Sequence, residues 1–276
     1  MKLFNKVAIV GTGLIGGSMA LAIKKNGLAH RVIGVSRHKT TLIWARKSHA
    51  IDKGSQDLSI IKDADLVILA TPVKTILNLA DTILKFIKKD CIVTDVGSAK
   101  LEIVSKLGKI FPNYVGSHPL AGSEKSGITN ASRGIFKNSL CILTPTKNTT
   151  PKALKKIKNL WKQLGAGVVF LSPDTHDRIL SFVSHLPHVI AFSLIDTIPH
   201  KYLKFAAAGL KDTTRIALSD NRLWADIFLS NQRNILKSIE SFQDKLSGIK
   251  SAINKRDEKT LIKILEKAKG KREILG

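Results

Sequence analysis

Short runs of uninterrupted apolar residues, each followed by a turn and then by a stretch of helical period, recur along the first part of the chain. Val7-Ala8-Ile9-Val10 is the first of them, the pattern of a strand buried on both faces. Gly11-Thr12-Gly13-Leu14-Ile15-Gly16 follows at once, and residues 18–25 read as a helix. Further strands are predicted over 31–35, 66–70, 91–94, 114–116, 140–143 and 168–171, with helices over 75–88 and from about 151 to 164. Strands alternating with helices in this way predict a doubly wound parallel sheet of the Rossmann type. After the helix-start signal Ser172-Pro173-Asp174 the strand pattern stops, and 223–246 and 259–267 read as amphipathic helices. The expected architecture is therefore α/β: a Rossmann-type domain over 1–171, then an all-helical domain over 172–276.

The glycine fingerprint stands in the context that gives it meaning, between a strand and a helix. Gly11 makes the tight turn, Gly13 lets the backbone approach a pyrophosphate, and Gly16 permits close helix–strand packing. The amides and positive dipole end of the helix then face the phosphates, so Thr12, Leu14 and Ile15 belong to the same loop. After the second strand, where an acidic residue would take the ribose hydroxyls of NAD, the chain carries Ser36-Arg37. A hydroxyl and a guanidinium there suit a 2′-phosphate and lean the reading to NADP. The other reading has Arg37 stacking on adenine, with NAD bound without a carboxylate. Thr71 and Pro72, after the 66–70 strand, fall on the same ligand-binding edge.

Composition adds two qualifications. A net charge of +24, from 45 Lys and Arg against 21 Asp and Glu, invites a nucleic-acid reading. The lysines are spread over many helices, however, with no aromatic interleaving, no zinc spacing and no recognition-helix motif. Solvated helix faces account for them, and no nucleic-acid partner is expected. Beyond the glycine-rich N-terminal stretch no segment reads as approaching a membrane span. Cys91 and Cys141 both lie in apolar strand-like runs, as buried thiols of a reducing compartment do. A cytoplasmic protein with no membrane partner is expected.

The candidate chemistry lies at the ends of the predicted strands. His118 stands just beyond the 114–116 strand, in Gly116-Ser117-His118-Pro119-Leu120-Ala121-Gly122-Ser123-Glu124, held on a stiff turn by Pro119. Its ordinary pKa near 6.5 suits proton transfer at neutral pH. Ser98, after the 91–94 strand, either faces the same edge or caps the helix that follows. His185 and His188 are three apart and share a helix face. No third ligand accompanies them, so anion or substrate contact is expected rather than a metal. Arg215 offers a fork for a carboxylate, and Asp212 either orients it or neutralises it. Trp224, Ile227, Phe228 and Ile235 read as core or subunit interface.

With these residues in place, the chain resembles the prephenate/arogenate dehydrogenase family of tyrosine biosynthesis. The resemblance runs from Lys6 to about Phe242. It rests on Gly11 to Ser18, on Thr94-Asp95-Val96-Gly97-Ser98 and on the His118 to Glu124 segment. It continues through Val183-Ser184-His185-Leu186-Pro187-His188, Lys211 to Ala217 and Trp224-Ala225-Asp226-Ile227. One departure is Thr213-Thr214, where the family often has an aromatic residue before the threonine. No added chorismate mutase or regulatory domain is expected. The resemblance implies hydride transfer to NAD or NADP with loss of carbon dioxide from prephenate or arogenate. It also implies His118 as proton acceptor, Ser98 as a hydrogen-bonding partner of His118 or the nicotinamide, and Arg215 as a clamp on a substrate carboxylate. His185 and His188 would line the pocket, Glu124 would gate or tune entry, and the helical domain would form a homodimer. Its rivals are a β-hydroxyacid dehydrogenase, whose helical-domain lysine motif is not found here, a non-catalytic dinucleotide sensor, and a nucleic-acid binder.

Overall fold

A computed structural model describes residues 2–276. The chain falls into two compact units, Met1–Asn231 and Gln232–Gly276. The first is built on β1 (Phe4–Val10), α1 (Leu14–Lys25), β2 (Ala29–Val35), α2 (Lys39–Lys47), β3 (Lys53–Ser55), β4 (Leu66–Leu69), α3 (Val73–Leu84), β5 (Ile92–Asp95), α4 (Leu101–Ile110), β6 (Tyr114–Leu120), β7 (Leu140–Thr144), α5 (Pro151–Gln163) and β8 (Gly167–Phe170). These strands form one sheet in the order β3-β2-β1-β4-β5-β6-β7-β8. Every pairing is parallel except β6 with β7. The order reverses between β1 and β4, which places the ligand crevice beyond their carboxyl ends.

Because side chains alternate across a strand, the apolar runs feed two cores at once. Val7, Ile9, Leu66 and Ile68 pack on one face with Met19, Ile23, Ile157 and Trp161 of α1 and α5. Ala8, Val10, Val67, Leu69 and Val93 pack on the other with Ile76, Ile83, Ile103 and Leu107 of α3 and α4. The lysines of α5 lie opposite its buried stripe of Ala153, Ile157, Leu160 and Trp161, which is why a lysine-rich helix folds onto the sheet.

Beyond β8 the first unit continues as helices: α6 (Pro173–Leu180), one π-helical turn over Ser181–His185, α7 (Leu186–Thr197), α8 (Ala208–Thr214) and α9 (Asn221–Ser230). Ser172 caps α6 by accepting from the amide of Thr175, with Pro173 in the first turn, as the start signal predicts. The expected boundary at 171/172 thus falls between the last strand and the first of these helices. The second unit consists of α10 (Gln232–Asn254) and α11 (Glu258–Glu273).

Four expectations change. The first helix starts at Leu14 rather than at residue 18, because Gly16 and Gly17 are tolerated where the helix packs tightly on the loop before it. The helix expected over 223–246 breaks at Asn231, which ends α9 with φ −121° and is 4 % exposed. Pro173–Thr197 forms a continuous helix of 25 residues containing an 18-residue stretch apolar enough, by length and composition, to cross a membrane, where none was expected. It also carries His176, Asp177, His185 and His188 into polar contacts with His118, Lys100, Asn231 and Ser184. Lastly, neither α3 nor α4 caps itself. The carboxylate of Asp226 accepts from the amide of Lys74 at 3.2 and 3.4 Å. That of Asp177 accepts from the amides of Lys100 and Leu101 at 2.7 and 2.9 Å. Ser98 therefore does not cap α4.

Candidate active site

The crevice loop after β1 has the shape a pyrophosphate needs. Gly11 takes φ +97°, and a Cβ on it would lie 2.5 Å from the carbonyl oxygen of Ala70. A Cβ on Gly16 would meet the Gly11 oxygen, whereas nothing lies within 4 Å of one on Gly13, so the backbone there is open to a ligand. The N-terminus of α1, where Leu14 and Ile15 begin the helix, has no side-chain cap and no acidic residue in its first turn. The hydroxyls of Thr12 and Thr71 are buried without a hydrogen-bond partner, an arrangement that costs free energy unless a ligand supplies one. Pro72 is exposed beside Thr71. At the end of β2, Ser36 is half-buried and Arg37 exposed; Gln56 donates to the Arg37 carbonyl at 2.6 Å. A dinucleotide fits this loop.

His118 is not on a turn beyond the strand. It lies within β6, opposite Ile142 of the antiparallel neighbour β7. The last parallel pair between β5 and β6 is Asp95 with Gly116, so His118 still projects past the carboxyl end of β5. It is 8 % exposed, and its Nδ1 lies 2.8 Å from Nε2 of His176 on α6. Nδ1 of His176 lies in turn 2.7 Å from Oδ1 of Asp177. Nε2 of His118 makes no hydrogen bond among the described residues. Burial first, then His176, Lys100 and His185, holds the His118 imidazole well below the usual histidine range. It is therefore neutral near pH 7.

Beneath His118 lies a buried ion pair. Lys100 and Asp95 are both 0 % exposed and bonded to each other. Asp95 also accepts from the amide of Gly97 at 2.8 Å and the hydroxyl of Tyr114 at 2.7 Å. The bonds to Gly97 and Lys100 pin the loop that carries Ser98. Ser98 is half-buried and forms no hydrogen bond with His118; Nδ1 of His118 is taken by His176.

The helices bring the remaining candidates together. His185 is 1 % exposed; its Nδ1 faces Nδ2 of Asn231 at 3.2 Å, so Nε2 carries the hydrogen, buried and unpartnered. Burial lowers its pKa to about 4. His188 donates from Nδ1 to the Ser184 carbonyl at 3.0 Å, and both rings pack on Trp224, so the two histidines do share a face. Nearby Arg215 bonds Glu124 at 3.0 Å. Asp212 is exposed and has no such contact, so the carboxylate that holds Arg215 is Glu124's rather than Asp212's. Among the described residues no three ligating side chains converge as a metal site would require.

Sequence reasoning singled out His118, His185, His188 and Arg215 as candidates but assigned no site role to His176, Asp177, Asn231, Asp95 or Lys100. The adjacent His176-Asp177 pair at a helix start is the only local signal, and the contact it makes spans 58 residues.

Comparison with known proteins gives this arrangement a family. Residues 19–170 match the model of the prephenate dehydrogenase nucleotide-binding domain, and residues 172–267 that of the prephenate dehydrogenase dimerization domain. The chain is 37% identical to a prephenate dehydrogenase of Bacillus subtilis over 98% of its own length and 76% of the relative's. The structure of the Aquifex aeolicus prephenate dehydrogenase, solved with hydroxyphenyl propionate and NAD+, superposes with a TM-score of 0.94 at 36% identity, covering 99% of this chain and 98% of that one. A Synechocystis arogenate dehydrogenase superposes with a TM-score of 0.83 at 29% identity, over 98% and 100% of the two chains. The chain belongs to the prephenate dehydrogenase family, the NAD(P)-linked oxidoreductases that oxidise and decarboxylate a cyclohexadienyl acid in tyrosine biosynthesis.

Proposed function

We propose that His118 is the proton acceptor in the oxidative decarboxylation of prephenate or arogenate. The supporting observation is a neutral imidazole past the end of β5, bonded at Nδ1 and unbonded at Nε2. The ring hydroxyl of the substrate gives its proton to Nε2 of His118. The carbon that bore the hydroxyl becomes a carbonyl as its hydride leaves, and loss of the ring carboxylate as carbon dioxide lets the ring become aromatic. A nicotinamide cofactor, when bound, supplies the hydride acceptor.

Gly11, Thr12, Gly13, Leu14, Ile15 and Gly16 would hold its pyrophosphate, with Thr71 and Pro72 on the same edge. Ser36 and Arg37, in place of a carboxylate, favour NADP. Ser98 would hydrogen-bond the substrate hydroxyl or the nicotinamide from the loop that Asp95 and Lys100 pin. His185 offers an N–H and His188 a lone pair to the substrate, and Arg215 would clamp a carboxylate in exchange for Glu124. Asp212 belongs to the same substrate side by its place in the motif. The ring hydroxyl and ring carboxylate are common to prephenate and arogenate, so these residues act on either.

The exposed apolar side chains Phe182, Val183, Phe205 and Leu218 support a homodimer through the helical part, residues 172–276. A cytoplasmic location goes with the biosynthetic role.

The test is His118→Asn, assayed with prephenate and arogenate, each with NAD and NADP. A large loss of kcat with KM mostly kept supports the reading, and near-normal turnover overturns it. Arg37→Ala should raise the KM for NADP and leave that for NAD unchanged.

A further inference from the structure

As a proton acceptor, His118 must offer a lone pair, rather than a hydrogen, at Nε2. We propose that Asp177 is the positioning residue that decides this: from α6 it selects the tautomer of His176, and through His176 that of His118. The inference rests on the reading of His118 as proton acceptor.

Oδ1 of Asp177 accepts from the amide of Lys100 and Oδ2 from the amide of Leu101, so the carboxylate's orientation is fixed by α4 and not by the histidine. Oδ1 also lies 2.7 Å from Nδ1 of His176, and a carboxylate that accepts amide hydrogens has none to offer. Nδ1 of His176 must therefore carry the hydrogen. Burial keeps His176 below the usual histidine range despite its acidic neighbour, so the ring is neutral and Nε2 holds a lone pair. That lone pair faces Nδ1 of His118, which must supply the hydrogen of their bond. The one remaining position on His118, Nε2, is then free to accept a proton. Asn231 steadies the start of the chain by donating to the carbonyl of Asp177 at 2.7 Å.

The same carboxylate thus caps α4, whose preceding loop carries Ser98, and sets the protonation pattern of the base. Asparagine at this position can accept only through one oxygen. If its oxygen takes the place of Oδ2 and keeps the Leu101 amide, its NH2 group stands where Oδ1 stood and faces Nδ1 of His176. That reverses both imidazoles and leaves a hydrogen on Nε2 of His118.

Asp177→Asn should therefore lower kcat by roughly 10²- to 10⁴-fold, by analogy with the wrong-tautomer loss seen in serine proteases, with KM for substrate and cofactor changed only a few-fold. Asp177→Glu should recover part of that loss. Nitrogen-15 NMR of the histidine side chains reads the tautomer without turnover. In the unmodified protein at pH 7, His118 should show a protonated Nδ1 and an unprotonated Nε2, and Asp177→Asn should exchange them. A merely structural carboxylate would lower the melting temperature of the variant and leave kcat and the His118 tautomer as they were; that result overturns the proposal. So does an Nε2-protonated His118 in the unmodified protein, which needs no variant to be seen. Normal turnover of His118→Asn would overturn the base reading alone, while the tautomer measurement would still decide the role of Asp177.

Discussion

The ring of His188 lies flat on Trp224, their centroids 3.4 Å apart and their planes at 20°. The same indole meets His185 edge-on at 6.1 Å, so one residue of α9 fixes the directions of both histidines of the His185–His188 turn. Trp224 is 9 % exposed, and its removal would leave a cavity as well as a loose ring. Trp224→Phe should keep the stack and change kinetics little. Trp224→Leu should raise KM for the cyclohexadienyl substrate several-fold while affinity for the cofactor holds, as steady-state kinetics and cofactor titration would show. Equal losses for both ligands would mean that the indole serves the fold rather than the substrate side.

Acid should reach the catalytic step later than a free histidine would suggest. His118 must be neutral to accept a proton, and burial, His176, the Lys100 ammonium and His185 all push its pKa well below 6.5. The rate should therefore stay level as pH falls through 6.5 and decline only in more acid solution. The control is Lys100→Met, which removes one of the depressing charges and should move the acid limb of the profile upward. Lys100→Met also strands Asp95 in the interior, a loss on the order of 3–5 kcal/mol of stability, so the profile is best recorded at low temperature. An acid limb at 6.5 in the unmodified enzyme would show that His118 is solvated in the working state.

Much of this was legible in the sequence because it is local. An apolar run, a glycine fingerprint and a helix period need only neighbours, so seven of the eight strands, α1 and the dinucleotide loop were foreseen, while the short β3 was not. His118, His185, His188 and Arg215 were singled out as candidates through short motifs. What escaped was whatever a distant partner supplies. The caps of α3 and α4 come from Asp226 and Asp177, 152 and 77 residues away. The break at Asn231 has no glycine or proline to announce it; the buried amide bonds Asp177 and His185 instead. Likewise His118 looks like a turn residue beside Pro119, because nothing local reveals that β7 will pair with it.

Glu124 competes for the group that should hold the substrate. Its Oε2 lies 3.0 Å from a terminal nitrogen of Arg215, and the pair is open enough to exchange partners, with the arginine side chain 57% exposed. Exposed pairs of this kind are worth at most about 1 kcal/mol, or roughly fivefold in an equilibrium constant. Glu124→Gln should therefore lower the substrate KM by no more than about fivefold, while Arg215→Lys, which loses the planar fork, raises it. If Glu124→Gln raises KM instead, the carboxylate orients Arg215 rather than competing for it.

Folding stability should fall on mild acidification, and the sign follows from the histidines. His118, His176, His185 and His188 all have pKa values lowered in the folded chain, burial being the first cause in each. The unfolded chain, with histidines near 6.5, binds more protons just below that pH, so protons favour unfolding there. Stability is fully present above about pH 6.5 and is lost as pH falls toward the folded-state values, which for His185 means down to about 4. For His185 alone that span corresponds to a loss of about 3 kcal/mol, at about 1.4 kcal/mol per pH unit. Urea unfolding between pH 7.5 and 4.5 measures the slope. His185→Gln should flatten it while lowering stability at pH 7.5, where the unmodified histidine is already neutral in both states. A slope unchanged by that substitution would show that His185 takes up its proton in the folded chain without penalty.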